Sequence, residues 1–241
     1  METAVSRASS CHANSSTSAQ REVSVVSRGI RSLELISVVL GMCVGWLLVA
    51  IQQYVWDGGT GGRLPYVPNA WYGTYEAVYE RVGARWGLSA YYFWGRFALL
   101  IYLAVFIGAW ALPPGAGRTS RVGRRALLAA VVVGLIGDVL AYWGGSGDEL
   151  SMLTVIGFGF VELPALLVLI LAMVVYAVGL ARERSKQPVV TCSLIAGGTL
   201  SIPVSLFLIT YVPHGILLTV LAALTVALAA VTNIDRPSPA A

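Results

Sequence analysis

Residues 150–180 read LSMLTVIGFGFVELPALLVLILAMVVYAVGL, and this stretch decides the class of protein. Glu162 is its one charged residue. About 20 apolar residues in a helix cross the hydrocarbon core of a bilayer, which is about 30 Å thick. The stretch is therefore predicted to be a transmembrane helix that is longer than one straight crossing requires. Pro164 is the expected position of a kink.

The rest of the chain contains five more apolar runs of this kind. In chain order the six runs are Leu33–Val55, Ala90–Leu112, Ala126–Trp143, Leu150–Leu180, Val189–Val212 and Ile216–Val231. The chain is 57% hydrophobic and only 12% charged, whereas about a quarter of the residues in a soluble domain are charged. We therefore predict an all-α polytopic membrane protein, a bundle of six transmembrane helices.

Arginines and lysines indicate the orientation, because cytoplasmic loops retain positive charge. Most of the 16 basic residues lie before run one, between runs two and three, or after runs four and six. Both termini are therefore predicted to be cytoplasmic and the loop 56–89 external, with the protein in a plasma (inner) membrane. The preference for Arg over Lys is associated with GC-rich bacteria.

Three regions are predicted along the chain. Residues 1–22 are rich in Ser and Ala and are expected to form a disordered cytoplasmic tail. Residues 23–234 form the membrane domain, whose first residues are either an amphipathic helix on the inner surface or an extension of run one. Residues 235–241, with two prolines, form a second cytoplasmic tail.

The external loop contains an amphipathic pattern. At 100° per residue one stripe collects apolar and aromatic residues, namely Tyr75, Val78, Tyr79, Val82 and Trp86. Tyr and Trp favour the boundary between lipid and water, so we predict one external interfacial helix. Its role is either an aromatic anchor or a lid over a pocket for a lipid or another substrate.

The cysteines and histidines are few and scattered. The cysteines are Cys11, Cys43 and Cys192, and the histidines are His12 and His214. None of the cysteines lies in an external loop, and no Cys-x-x-Cys pair is present, so we expect no disulfide framework, metal or haem. No cofactor is indicated, and the basic residues follow the membrane topology rather than a nucleic-acid partner.

Small residues recur on one face of run one. Ser37, Gly41 and Gly45 are spaced four residues apart, and this pattern lets helix backbones approach closely in membranes. We predict that this face packs against other helices of the bundle. Pairing with a second copy of the chain, as a homo-oligomer, or with a partner membrane protein is the alternative.

Ionisable residues inside the runs are the best indication of a site. Arg96, Asp138 and Glu162 lie at similar depths in the outer half of the predicted bilayer, and His214 lies above them in the turn between runs five and six. Because lone charges are costly in lipid, we predict one cluster in which Arg96 pairs with an acid. The cluster is a structural clamp, a ligand- or proton-binding site, or a set of water-exposed side chains.

Two short strings resemble motifs of intramembrane aspartyl proteases. Gly145-Ser146-Gly147-Asp148 and Pro164-Ala165-Leu166 are similar to the Gly-x-Gly-Asp and Pro-Ala-Leu motifs of that family. The resemblance implies catalytic aspartates within helices. Asp148, however, falls in a loop, and the chain lacks the family's Tyr-Asp motif, so no catalytic residue is assigned.

The overall plan resembles permease subunits of ABC-2 exporters. The likeness lies in the length, the six spans, the internal termini and the possible amphipathic helix ahead of run one. It implies a partner ATPase. Those permeases usually carry their larger external elaboration between the last two spans, and this chain has only a short turn there.

Two classes of function remain open. The first is a non-enzymatic membrane protein that binds or moves a small ligand, lipid or ion, or serves as an accessory subunit. The second is a membrane-embedded enzyme that acts on a lipid headgroup, with Glu162 or Asp138 as acid or base.

Overall fold

A computed structural model describes residues 5–56, 69–147, 150–183, 188–209 and 212–234, and every element in these ranges is helical. In chain order the α-helices are α1 (Val5–Trp56), α2 (Asn69–Val78), α3 (Ala90–Gly95), α4 (Leu99–Ala111), α5 (Arg118–Trp143), α6 (Met152–Val155), α7 (Leu163–Arg182), α8 (Pro188–Val204) and α9 (Val212–Ile234). Turns of π-helix at Tyr79–Gly83, Ile156–Glu162 and Ser205–Ile209 follow α2, α6 and α8, and 3₁₀ turns occupy Ala84–Trp86 and Arg96–Ala98. The predicted tail 235–241 and residues 57–68 lie outside the described residues.

Six stretches are long and apolar enough to cross a membrane. They are Gly29–Val55, Ala90–Ala111, Arg118–Trp143, Met152–Arg182, Pro188–Phe207 and Pro213–Thr232. Each coincides with a predicted run, so the all-α class and the number of candidate spans are confirmed. The third stretch has 26 residues because its helix begins among the arginines that precede the apolar run.

The first and last helices begin earlier than the apolar runs that they contain. α1 begins at Val5, within the residues that are predicted to form a cytoplasmic tail. A helix that is already nucleated adds residues without repeating the cost of nucleation. At the other end, α9 begins at Val212, so His214 lies in a first helical turn and not in a loop. Pro213 suits that turn, where its missing N–H is not needed.

The fourth span changes helix type where a kink was expected. A π-helical turn, Ile156–Glu162, joins α6 to α7, and Pro164 is the second residue of α7. Proline cannot donate the backbone hydrogen bond that would continue a regular helix through it. The irregular turn therefore ends just before the proline.

Within the predicted loop 56–89, α2 and the two irregular turns that follow it carry the predicted stripe and pack on the bundle. Tyr75, Tyr79 and Val82 contact a small apolar cluster that includes Ile51 and Phe93. Burial raises the pKa of the Tyr75 hydroxyl. On the same stripe, Val78 and Trp86 are exposed, so only part of it faces the bundle. We call this end of the bundle the α2 end.

The glycines of the first span lie where other helices come close. A Cβ added at Gly41 would overlap Ala104 of α4, and one at Gly45 would lie 2.7 Å from Leu218 of α9. Ser37 instead donates a hydrogen bond to the Leu33 carbonyl of its own helix, at 2.8 Å. The close face of α1 therefore consists of the two glycines, and the Ser37 hydroxyl serves its own turn.

Glu183 joins the end of α7 to the start of α5, at the end of the bundle opposite the α2 end. Its carboxylate accepts hydrogen bonds from the backbone N–H groups of Ala116 and Gly117, both at 2.8 Å, and from the Ser120 hydroxyl. Backbone N–H groups at the start of a helix lack partners within the helix. Glu183 therefore caps the start of α5 from the end of α7. The Ser120 hydrogen bond is the largest cause that lowers the pKa of the Glu183 carboxyl.

Candidate functional site

Two carboxylates and one imidazole meet inside the bundle. The Nε2 atom of His214 lies 3.5 Å from Asp138 Oδ1 and 3.7 Å from Glu162 Oε1. One possible ligand atom from each of the three residues lies within 4.8 Å of the other two, and all three side chains are 0% exposed. We call Asp138, Glu162 and His214 the buried triad.

Close helix contacts bring the two acids together. A Cβ added at Gly137 would lie 2.6 Å from the backbone nitrogen of Glu162, and one at Gly157 would lie 2.6 Å from the backbone nitrogen of Ala141. The absence of side chains at these glycines lets α5 cross the π-helical turn at backbone distance. Turns of π-helix are rare and occur frequently at functional sites. Glu162 is the last residue of this turn, and Asp138 follows Gly137 directly.

The first turn of α9 supplies the imidazole. A Cβ at Gly215 would lie 2.9 Å from the Ser205 hydroxyl oxygen, so α9 starts close to the π-helical turn that follows α8. The His214 ring lies 5.9 Å, centroid to centroid, from the Tyr142 ring. These contacts hold the first turn of α9 beside α5 and the turn that follows α8.

Arg96 does not join the acids, which corrects the predicted cluster. Its Nε donates to the Tyr142 carbonyl at 3.2 Å and its Nη2 to the Gly145 carbonyl at 3.4 Å, and the guanidinium lies over the Trp143 ring. The last carbonyls of a helix lack partners and favour a cation. Arg96 therefore caps the end of α5, and the histidine takes the place beside the acids that we expected the arginine to hold.

The carboxylates of the buried triad are under-satisfied. Tyr102 donates a hydrogen bond to Glu162 Oε1 at 2.9 Å. The other oxygen of Glu162 and both oxygens of Asp138 are buried and accept no hydrogen bond from any described residue. Buried carboxylates are normally hydrogen-bonded or neutralised. The site therefore has spare capacity to hold positive charge.

A cavity of about 600 Å³ opens at the α2 end of the bundle. Its lining includes Glu76, Tyr91 and Trp94. The Tyr91 ring lies 5.1 Å from the Tyr142 ring, which in turn contacts the His214 ring. Two tyrosine rings thus connect this cavity with the buried triad.

The triad is a possible set of metal ligands that the expectation of no metal site did not consider. That expectation depends on counting cysteines and histidines, and the chain has only two histidines. Carboxylates are metal ligands as well. One histidine and two acids that converge form a possible ligand set, and the spacing of residues 138, 162 and 214 in the sequence gives no sign of it.

Tyr102 and Tyr142 both contact the triad, and neither is predicted as a site residue from the sequence. They are two of 11 tyrosines in an apolar chain, and aromatic residues are common at membrane boundaries. Gly134 lies against one of these rings, because an added Cβ would be 2.7 Å from Cε1 of Tyr102. That contact is visible only once the helices are placed.

Comparison of the chain with models of known protein families, with curated proteins and with solved structures finds no match.

Proposed function

We propose that the chain is a multi-pass protein of a bacterial plasma membrane that binds and transports a cation through the buried triad. The observation that carries this proposal is the meeting of Asp138, Glu162 and His214 in a fully buried site whose carboxylates lack sufficient partners. A proton or a metal ion would supply the missing positive charge.

The orientation rests on the arginines. With both termini in the cytoplasm, the arginine-rich start of α5 is internal and the α2 end is external. Asp138 then lies five residues from the outer end of α5 at Trp143, about 8 Å deep at 1.5 Å per residue. The buried triad is therefore assigned to the outer half of the bilayer, below an external interfacial helix.

Burial favours an ion over a lipid substrate. A headgroup enzyme requires its acid or base within hydrogen-bond reach of the substrate, and all three side chains of the triad are 0% exposed. A cation without its hydration shell needs far less space. A membrane-embedded enzyme that acts on a lipid headgroup is therefore the second candidate function.

The test is the thermal stability of the detergent-purified protein in a series of cations and pH values. A cation that binds only the folded protein stabilises it, by about 2.7 kcal/mol at 100 times its Kd. We expect acidification or at least one cation to raise the Tm of the parent by several degrees, and the Asp138→Asn/Glu162→Gln double variant to lose this response.

The matched control is Glu80→Gln, which removes an exposed acid and should respond like the parent. If the parent and the double variant respond alike to every cation and to pH, the proposed function is wrong. Uptake by reconstituted vesicles then separates transport from binding alone, because only transport loads the vesicle interior.

A further inference from the structure

We infer that the buried triad is a binding site for a divalent first-row transition-metal ion, with Zn²⁺ as the best fit. This inference rests on the proposed function and names the class of cation. Three features carry it, namely the spacing of the three possible ligand atoms, the charge of the site and the chemical types of the ligands.

The spacing fits a tetrahedral metal. Ligand atoms about 2.0–2.2 Å from a tetrahedral Zn²⁺ lie about 3.3–3.6 Å from one another. The His214 Nε2 atom lies 3.5 Å from Asp138 Oδ1 and 3.7 Å from Glu162 Oε1. Adjacent ligands of an octahedral Mg²⁺ lie closer, at about 2.9 Å. The ligand atoms of Asp138 and Glu162 lie within 4.8 Å of each other, so the side chains would have to rotate for all three atoms to bind one zinc ion.

The charge of the site selects a divalent ion. Two ionised carboxylates beside a neutral imidazole carry two negative charges, and an uncompensated charge is expensive in a protein interior. Arg96 does not compensate them, because it binds backbone carbonyls at the end of α5. One divalent cation would make the site neutral, whereas one Na⁺ or K⁺ would leave a negative charge.

The ligand types select a transition metal. Imidazole suits zinc, copper, iron and nickel, whereas Mg²⁺ and Ca²⁺ prefer oxygen ligands. Ca²⁺ moreover takes six to eight oxygens, and the triad presents only two carboxylates together with one nitrogen. His214 therefore argues against the hard cations.

The hydrogen bond to Glu162 and the number of ligands are also typical of a metal site. Tyr102 donates to Glu162 Oε1 at 2.9 Å, and such hydrogen bonds orient ligating carboxylates. The triad gives three protein ligands, which leaves one position of a tetrahedral ion for water or another ligand. A site with such an open position suits an ion that is exchanged or carried.

The metal ion would reach the buried triad from the external cavity. Glu76 at its lining accepts a hydrogen bond from Tyr54 and places a carboxylate at the entrance. Tyr91 and Tyr142 lie between this cavity and His214. Movement of these two rings would admit the ion.

The experiment is titration of the detergent-purified full chain with Co²⁺ and then with Zn²⁺. Tetrahedral Co²⁺ has strong visible absorption, and Zn²⁺ should displace it at one equivalent per chain. Metal binding should also release protons, because the ligands must be deprotonated. Asp138→Asn, Glu162→Gln and His214→Gln should each weaken Zn²⁺ binding by at least about 100-fold, and Tyr102→Phe by about 10-fold.

Asp138→Cys keeps the inference testable if other variants fold poorly. A thiolate is a good ligand for both ions, so this variant should retain binding and add a sulfur-to-cobalt charge-transfer band. Glu80→Gln is again the control and should bind like the parent.

The outcomes separate this inference from the proposed function. A parent that binds neither Co²⁺ nor Zn²⁺ but shows a triad-dependent response to protons or to other cations overturns the transition-metal assignment and leaves the proposed function standing. Equal Zn²⁺ binding by the parent and the three single variants also overturns the assignment, because the metal would then sit elsewhere. A parent without any triad-dependent cation response overturns both.

Discussion

The charge of the buried triad depends on the imidazole of His214. With both acids ionised, the net charge of the site is −1 if His214 is protonated and −2 if His214 is neutral. The only described hydrogen bond to the acids comes from Tyr102. Since unbalanced charge is costly away from water, the folded protein should hold protons or a metal ion at this site.

Glu183 allows a prediction for a single residue at the other end of the bundle. Its hydrogen bonds from Ser120, Gly117 and Ala116 lower the pKa of its carboxyl. The stabilisation from such a group is present above the carboxyl's pKa in the unfolded chain and is lost as the pH falls through its lower folded pKa. Glu183→Gln should therefore reduce the Tm at neutral pH, and the deficit should shrink in acid.

The measurement is the difference in Tm between the parent and Glu183→Gln from pH 7 down to pH 3. Glu80→Gln, an exposed acid without such a cap, controls for general charge effects. A deficit that stays constant over the whole pH range would mean that the charge of Glu183 does not act through this cap.

The charged residues of the candidate site could be predicted from the sequence, but the contacts between them could not. Arg96, Asp138, Glu162 and His214 are conspicuous because each is ionisable within or beside an apolar run. Which of them meet depends on the rotation of each helix and on the reach of each side chain. Arg96 is long enough to reach carbonyls at the end of α5, and similar depth alone does not reveal this.

At the scale of elements, hydrophobic length predicts most of the helices. The limits Leu33–Val55 and Ala90–Leu112 differ from the candidate spans by only a few residues. The π-helical turns and the start of α9 at Val212, ahead of His214, were not predicted, because they depend on tertiary packing and not on apolar length. These irregular elements are the ones that carry Glu162 and border His214.

The crossing of α5 and the π-helical turn yields a second prediction. Gly137→Ala should reduce stability by about 1–3 kcal/mol, since overpacking forces backbones apart. The added Cβ would lie 2.6 Å from the backbone nitrogen of Glu162. The change should also weaken any cation response, because it moves one acid relative to the other.

Gly159→Ala is the matched control within the same π-helical turn. A Cβ at Gly159 meets nothing within 4 Å, so this variant should melt like the parent or slightly higher. Equal melting of Gly137→Ala and Gly159→Ala would contradict the close crossing.

At the scale of the whole molecule, polar groups lie inside and many large apolar side chains lie outside. Asp138, Glu162 and His214 are fully buried, whereas Ile136 and Leu171 are more than half exposed. Extensive exposed apolar surface is unusual in a soluble monomer. This arrangement fits a bundle that is solvated by lipid.

The proposed orientation predicts opposite labelling of the two ends. In a background that lacks Cys11, Cys43 and Cys192, we expect Ala84→Cys to react with an impermeant maleimide from outside intact cells. Ala116→Cys should react only after lysis. Both alanines are exposed, so a lack of labelling would not reflect burial. The reverse pattern would invert the assignment of the site to the outer half of the bilayer.

His214, rather than Arg96, lies beside the acids, and a pair of double-mutant cycles on unfolding free energy tests this placement most directly. One cycle combines His214→Gln with Glu162→Gln, and the other combines Arg96→Met with Glu162→Gln. Coupled neighbours show interaction energies of about 0.5–3 kcal/mol, whereas independent sites add within about 0.5 kcal/mol. We expect clear coupling in the histidine cycle and additivity in the arginine cycle. Additivity in the histidine cycle with strong coupling in the arginine cycle would contradict the site described above.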